Sequence, residues 1–160
     1  MRIIGIDPGT AITGFSILEI KNKEYKLLDA GYIHTHKGLK AADRLNQIAE
    51  DLKIILEKWT PNLASVEKLF FNKNITTGIS VAEARGVVTQ ILASKGIEIR
   101  EFGPSEVKST VCGNGKADKK AVQKMVKLIM NLKETPKPDD VADAIAVAIC
   151  GAQSIAIPTP

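Results

Sequence analysis

Residues 3–14 read IIGIDPGTAITG, and this stretch decides the fold. Ile3 to Ile6 form a short apolar run, which is typical of a buried strand. The run stops at Asp7-Pro8-Gly9, where all three residue types favour a turn. Asp7 therefore lies where the chain leaves the sheet, which is the place where ligand sites gather in open α/β sheets.

Outward from this strand, the pattern alternates between β-type and helical segments. Two more strands, 12–20 and 25–34, are joined by the polar residues 21–24 and predict an antiparallel meander. The rest predicts helices at 41–59, 76–94, 104–110, 118–130 and from 139 to about Cys150, with strands at 63–67 and 97–101. The order β-β-β-α-β-α-β-α-α-α predicts an α/β fold, a five-stranded mixed sheet with helices on both faces.

Length and composition indicate one domain. The chain has 160 residues, of which 44% are hydrophobic and 25% charged, enough to bury a core without disulfides or a structural metal. We expect a single domain over residues 1–152 and a tail over 153–160. Cys112 and Cys150 form no CxxC pair, and no leader or membrane-spanning run is evident, so a cytoplasmic protein with reduced thiols is expected.

The positive charge is concentrated in one segment. The chain carries a net charge of +4, but between Pro104 and Lys137 eight lysines (108, 116, 119, 120, 124, 127, 133, 137) face three acids. This segment is either a solvated helix face or a phosphate-binding rim. Charge alone leaves both readings open.

Four acids stand where a structural role explains them poorly. Asp7 and Glu67 each end a strand, and Asp140 and Asp143 lie three residues apart at the start of the last helix. Asp7 could be a turn residue, and Asp139 or Asp140 could cap the helix. Asp143 precedes an apolar run, however, and an acid there is costly unless it is paired or bound to a cation. Clustered carboxylates select Mg²⁺ or Mn²⁺, and two such ions can hydrolyse a phosphodiester.

The sequence resembles the RuvC family of Holliday-junction resolvases over about residues 2–152. The resemblance rests on short blocks that occur in the family's order and at its spacing. They are IGIDPGT (4–10), TG (13–14), VEKLF (66–70), NKN (72–74), ARGV (84–87), VKSTV (107–111), GNGKADK (113–119) and DVADAIAVA (140–148). Each block is a weak signal alone, and the set is strong.

The resemblance implies a ribonuclease-H-like fold, a homodimer and Mg²⁺-dependent symmetric nicking of two opposed strands of a four-way junction. Mn²⁺ could replace Mg²⁺, and two ions per site are expected. The family's acidic quartet falls on Asp7, Glu67, Asp140 and Asp143. The junction-contacting aromatic falls on Phe70, although the neighbouring Phe71 leaves open which of the two meets DNA. The resemblance also implies a branch-migration helicase complex as partner, and a dimer contact through the helix at 76–94.

Among the lysines, the resemblance places Lys108 and Lys119 in the substrate groove. Lys119 is expected to stabilise charge at the scissile phosphate. Lys116, in a Gly-Asn-Gly-Lys loop that departs from a Walker A motif, and Lys120 are expected to bind the DNA backbone. Arg85, inside a helix rich in small residues, is interpreted as a structural salt-bridge donor. His34 and His36 receive no role.

Three other functions remain to be weighed. A sugar-kinase or actin-like ATPase shares the opening motif, but it needs a second domain and gives Glu67 no task. A junction-binding scaffold without catalysis predicts loss of some of the acids, and all four positions are acidic. A ribonuclease H acting on an RNA–DNA hybrid would use the same fold and metals.

Overall fold

The computed structural model describes residues 1–22, 24–69 and 75–156. Five strands and five helices follow one another in the predicted order. They are β1 (Arg2–Asp7), β2 (Ile12–Lys21), β3 (Glu24–His34), α1 (Ala41–Trp59), β4 (Leu63–Glu67), α2 (Ile75–Ser94), β5 (Glu98–Phe102), α3 (Pro104–Cys112), α4 (Lys119–Ile129) and α5 (Asp139–Ala156). The strands form one mixed sheet in the order β3-β2-β1-β4-β5. β1 is antiparallel to β2 and parallel to β4, so the predicted architecture is confirmed.

Two hydrophobic cores lie on opposite faces of the sheet. Alternate residues of a strand point to opposite faces. Ile4 and Ile6 of β1 accordingly pack with α1 and α2, while Ile3 packs with α3, α4 and α5. Helix α1 buries Ile48 and Leu52 in the first of these cores. Helices therefore cover both faces.

Helix α5 packs very closely on the centre of the sheet because the strand residues beneath it are small. A Cβ added at Gly5 would lie 2.6 Å from the Cβ of Ala148 and 2.7 Å from its backbone nitrogen. Ser16 of β2 lies on the same face, and its hydroxyl donates a hydrogen bond of 2.9 Å to the carbonyl of Ala144. These small residues, and the alanines of α5, set the depth at which the helix lies.

Two helix ends differ from the sequence prediction by two residues or more. Helix α5 continues to Ala156 and does not end near Cys150. Tertiary contacts explain the extension: Arg100 of β5 donates a 2.8 Å hydrogen bond to the hydroxyl of Ser154, and Ile155 packs against the core. Helix α3 also extends, to Cys112, where Gly113 ends it in the left-handed conformation. No helix in the described ranges is long and apolar enough to cross a membrane.

A matched pair of serine substitutions tests the hydrogen bonding of two hydroxyl groups buried between the sheet and α5. The Ser65 hydroxyl is buried and has no hydrogen-bond partner among the described residues, whereas that of Ser16 is bonded to the carbonyl of Ala144. We expect Ser65→Ala to stabilise the protein by about 1 kcal/mol and Ser16→Ala to destabilise it by about 1 kcal/mol, since an unpaired buried hydroxyl costs free energy and a paired one contributes. Urea unfolding of both variants measures this, and equal shifts of the two midpoints would contradict it.

Candidate active site

The register of the sheet brings Asp7 and Glu67 together. Ile6 of β1 pairs with Val66 of the parallel strand β4. The next residue of each strand, Asp7 and Glu67, therefore projects from the same edge of the sheet and toward the α5 face. Their carboxyl groups share a hydrogen bond. Both strands end here because the chain turns away after the acids.

The first turns of α5 add Asp140 and Asp143 to the same edge. Gly14 of β2 pairs with Asp7, and the backbone of Asp140 lies directly over Gly14. A Cβ on residue 14 would meet the carbonyl of Asp140. Asp143, one turn further along α5, interacts electrostatically with both Asp7 and Glu67. All four acids predicted from the sequence thus meet at one end of the sheet.

Gly14 is a residue whose importance the sequence patterns did not reveal. We expect Gly14→Ala to destabilise the protein by about 1–3 kcal/mol, because the added methyl group collides with the backbone of α5 and must displace the helix. Urea unfolding in EDTA measures the loss.

Gly86→Ala is the matched control for Gly14→Ala. A Cβ at Gly86 of α2 would meet nothing within 4 Å in the described residues. Alanine there should instead stabilise the helix by about 0.5–1 kcal/mol. A Gly14→Ala protein as stable as the wild type would contradict the proposed close contact between β2 and α5.

The acids disturb one another's ionisation. Burial raises the pKa of Asp7 from 3.8 to about 8, and the nearby charges of Glu67, Asp143 and Asp140 raise it further in the same direction. Burial also raises the pKa of Glu67, while its hydrogen bond with Asp7 opposes that rise. Asp7 and Glu67 therefore titrate as a pair, and the shared hydrogen bond favours a proton held between them. A bound cation would favour the charged carboxylates and so oppose this shift.

Lys119, the first residue of α4, is paired with the acids of α5. Its Nζ lies 3.4 Å from Oδ2 of Asp143 and 3.3 Å from Oδ2 of Asp139. Burial raises the pKa of Asp143, whereas the ammonium group of Lys119 opposes the rise. Asp139 also accepts a 2.8 Å hydrogen bond from Nε2 of Gln123, which orients the carboxylate toward Lys119. The salt bridges leave Lys119 half-exposed at the rim of the site.

Two adjoining cavities open on the acids. One, of 200 Å³, is lined by Glu67 and Asp143 together with Lys108 of α3 and Lys119. The other, of 260 Å³, is lined by Asp7 and Glu67 with residues of the segments that follow β1 and β4. Lys108 and Lys119 thus face the acids across a shared opening. The arrangement places cations beside carboxylates where a phosphate group could enter.

The remaining predicted site residues lie elsewhere or outside the described residues. Lys116 and Lys120 are exposed, on the loop before α4 and in its first turn, and neither lines these cavities. Phe70 and Phe71 lie outside the described residues. The ion-pair role predicted for Arg85 is confirmed by its salt bridge to Glu101. Arg85 also donates a 3.4 Å hydrogen bond to the backbone carbonyl of Glu67, which links α2 to the end of β4.

The four acids at this edge offer carboxylate oxygens, a set that suits hard divalent cations. Within the described parts of the chain, no three His, Cys, Asp or Glu side chains stand close enough to form a ready-made metal cage. Burial raises the pKa of Asp7 most, and the charges of Glu67, Asp143 and Asp140 raise it further; this crowding of buried acids is the observation that fits a cation.

A comparison with protein families shows which family the chain belongs to. The sequence model of the family described as "Crossover junction endodeoxyribonuclease RuvC" matches residues 3–151. The chain belongs to the RuvC family. The resemblance predicted from the short blocks is confirmed, and it covers nearly the full length of the chain.

Individual relatives agree with this family. A crossover junction endodeoxyribonuclease RuvC from Prochlorococcus marinus is 52% identical, covering 93% of this chain and 94% of its own length. The relative of the same name from Halothermothrix orenii is 46% identical, covering 96% and 93%. The structure of T. thermophilus RuvC in complex with Holliday junction substrate superimposes with a TM-score of 0.89 at 28% identity, covering 99% and 98%. The ribonuclease-H-like fold of this family is therefore also the fold of this chain.

Proposed function

We propose that this RuvC-family chain is an endonuclease that resolves Holliday junctions by nicking two opposed strands symmetrically during recombination and repair. One observation carries the proposal: four carboxylates from three elements converge beside Lys108 and Lys119 at one edge of the sheet. The T. thermophilus RuvC structure with a Holliday junction substrate, which matches over nearly the whole chain, supports the choice of substrate.

Asp7, Glu67, Asp140 and Asp143 are the proposed metal ligands and catalytic acids. Mg²⁺ suits an all-carboxylate set, Mn²⁺ could replace it, and two ions per site are proposed. When bound, the ions activate a water and stabilise the leaving oxygen of the phosphodiester. The protein's own part is to hold the acids at the ends of β1 and β4, where α5 brings the second pair against them.

The lysines are proposed to hold the substrate's phosphates. Lys119 lies beside the acids and is assigned the stabilisation of negative charge at the scissile phosphate. Lys108 lines the same cavity from α3. Lys116 and Lys120, both exposed, are proposed to contact the DNA backbone outside the cavity, where lysines contribute affinity without reading sequence.

A homodimer is proposed to act on the junction. Two-fold symmetry would present two identical sites to strands of like polarity. Helix α2 is the proposed contact, and Ile79 on it is 55% exposed, an apolar residue suited to an interface. A branch-migration helicase partner, a cytoplasmic location and a single domain over residues 1–152 stay predictions made from the sequence.

Cleavage of three matched substrates tests the function. A labelled four-way junction, a linear duplex and an RNA–DNA hybrid of equal length are incubated with the protein in Mg²⁺. We expect paired symmetric nicks in the junction alone. Cleavage of the hybrid would retain the site and reject the substrate. Tight junction binding without cleavage in Mg²⁺ or Mn²⁺ would leave a binding protein and reject the enzyme.

A further inference from the structure

A third cavity adjoins the site on the side away from Lys108 and Lys119. It measures 450 Å³, and Asp140 forms part of its wall. The turn between β1 and β2, the start of α2 and two cationic side chains, Lys37 and Arg44, complete the lining. The volume falls in the range of small-ligand sites, about 300–1,000 Å³, so a phosphate with its sugar would fit.

Arg44 differs from the other arginines of the chain. Of the four, three form salt bridges with carboxylates, namely Arg2 with Glu19, Arg85 with Glu101 and Arg100 with Glu98. Arg44 has no carboxylate within 4.0 Å in the described residues, although it is only partly exposed and Asp140 lines the same cavity. A partly buried guanidinium without a counter-charge suits an anionic ligand, above all a phosphate.

The position of Arg44 is determined by its neighbours. Its Nε donates a 2.8 Å hydrogen bond to the hydroxyl of Thr35, which is 1% exposed and in turn donates to the carbonyl of Thr10. Thr10 donates a 2.7 Å hydrogen bond to the carbonyl of Ser80 in α2. Since Nε is used in this network, the two terminal nitrogens of the guanidinium are left to act as donors. The cation is therefore held in place at the cavity wall.

The three cavities follow one another along the sheet edge. Glu67 and Pro104 line both the cavity of Lys108 and Lys119 and the cavity at Asp7. Val81 lines both the cavity at Asp7 and that of Arg44. Together they make a path with lysines at one end, carboxylates in the middle and Lys37 with Arg44 at the other end. A single polynucleotide strand with its regularly spaced phosphates matches this alternation of charge.

We infer that Lys37 and Arg44 bind a backbone phosphate of the cleaved DNA strand on the Asp140 side of the scissile phosphate. This inference rests on the proposed function and adds a second anchoring point to it. With Lys108 and Lys119 at the opposite end, the strand is held on both sides of the carboxylates. Holding the strand at two points aligns the scissile phosphate with the acids, because phosphate contacts fix the position of a nucleic acid without reading its sequence.

The salt dependence of junction binding tests the inference. Binding is measured in EDTA, where cleavage is suppressed, for wild type and Lys37→Gln between low and moderate salt. We expect the slope of log K against log salt to fall by about 0.9 per bound chain, and the affinity near 0.1 M salt to fall about eightfold per chain. Lys26→Gln is the matched control, because this substitution removes the same charge. Lys26 lies opposite Glu19 in the register of β2 and β3, at the end of the sheet far from Asp7.

Arg44 provides a second measurement that separates binding from folding. Arg44→Lys keeps the charge but not the guanidinium fork, and Arg44→Gln removes both; thermal unfolding shows whether either loses the Thr35 network. We expect Arg44→Gln to lower the slope as Lys37→Gln does and Arg44→Lys to retain most of it. If the wild type binds and cuts junctions but Lys37→Gln has the same salt slope as Lys26→Gln, the inference is overturned and the proposed function stands. A wild type that neither binds nor cuts would overturn both.

Discussion

Replacing Asp7 with asparagine is expected to lower the rate of junction cleavage by at least about 1,000-fold, since loss of several kcal/mol of transition-state stabilisation by metal corresponds to that factor. Asp7 lies at the centre of the acidic cluster, hydrogen-bonded to Glu67 and affected by Asp143 and Asp140. Its amide analogue keeps the shape and removes the charge that a cation requires. Junction binding should persist, because the lysines that hold phosphates are unchanged.

Stability gives an independent measurement on the same variant. The pKa of Asp7 is raised to about 8 in the folded protein from 3.8, so the folded state binds the proton more tightly than the unfolded chain. When folding raises the pKa of an acid, ionising that acid lowers the stability of the folded protein. The loss of stability is absent at pH values below the unfolded pKa, grows as the pH rises toward 8 and is complete above pH 8. In EDTA, Asp7→Asn should therefore be more stable than wild type at pH 9 and lose that advantage at pH 4.

Asp51→Asn is the matched control for Asp7→Asn. Asp51 lies on α1, which packs on the opposite face of the sheet from α5, and its replacement removes the same charge. It should leave cleavage and its metal dependence unchanged. Cleavage by Asp7→Asn within tenfold of wild type would show that this carboxylate is not an essential ligand. If the difference in unfolding midpoint between Asp7→Asn and wild type does not vary with pH, the ionisation of Asp7 does not lower the stability of the folded protein.

Replacing Lys119 with glutamine is expected to lower the cleavage rate by about 100-fold or more, the usual effect of removing one preorganised donor to developing negative charge. The Nζ of Lys119 lies 3.4 Å from Asp143 and lines the cavity shared with Glu67 and Lys108. The loss of Lys119 should also affect the ionisation of Asp143. Lys119 opposes the rise in the pKa of Asp143, so without it that pKa rises further and the acid side of the pH–rate profile moves to higher pH.

A neighbouring lysine serves as the control for Lys119. Lys124 is exposed on the same helix and has no carboxylate within 4.0 Å in the described residues. Lys124→Gln should shift neither the cleavage rate nor the pH profile, although it can weaken binding, most strongly at low salt. The decisive comparison is single-turnover cleavage at saturating protein from pH 6 to pH 9. If Lys119→Gln and Lys124→Gln have equal rates and superimposable pH profiles, Lys119 contributes only to the overall positive charge and has no specific role at the scissile phosphate.

Much of the site could be predicted from the sequence because local rules place it. Apolar runs that stop at Asp7 and at Glu67 put both acids at strand ends, and helical spacing puts Asp140 and Asp143 on one face. These are short-range consequences of strand and helix geometry, which residues close in the chain determine. The helix at 41–59 and the strand at 63–67 were predicted to the residue for the same reason.

The tertiary structure decided what depends on residues far apart in the chain. The extension of α5 to Ala156 depends on Arg100 of another element, and the partners of Arg85 come from β4 and β5. The cavity of Lys37 and Arg44 brings together residues more than 100 positions apart. The sequence by itself thus determined the elements, the family and the four acids, since these follow from local periodicity and ordered motifs. Only packing decided how close α5 approaches Gly14, and hence that the four carboxylates meet, because contact between distant segments depends on side-chain volume across the whole core.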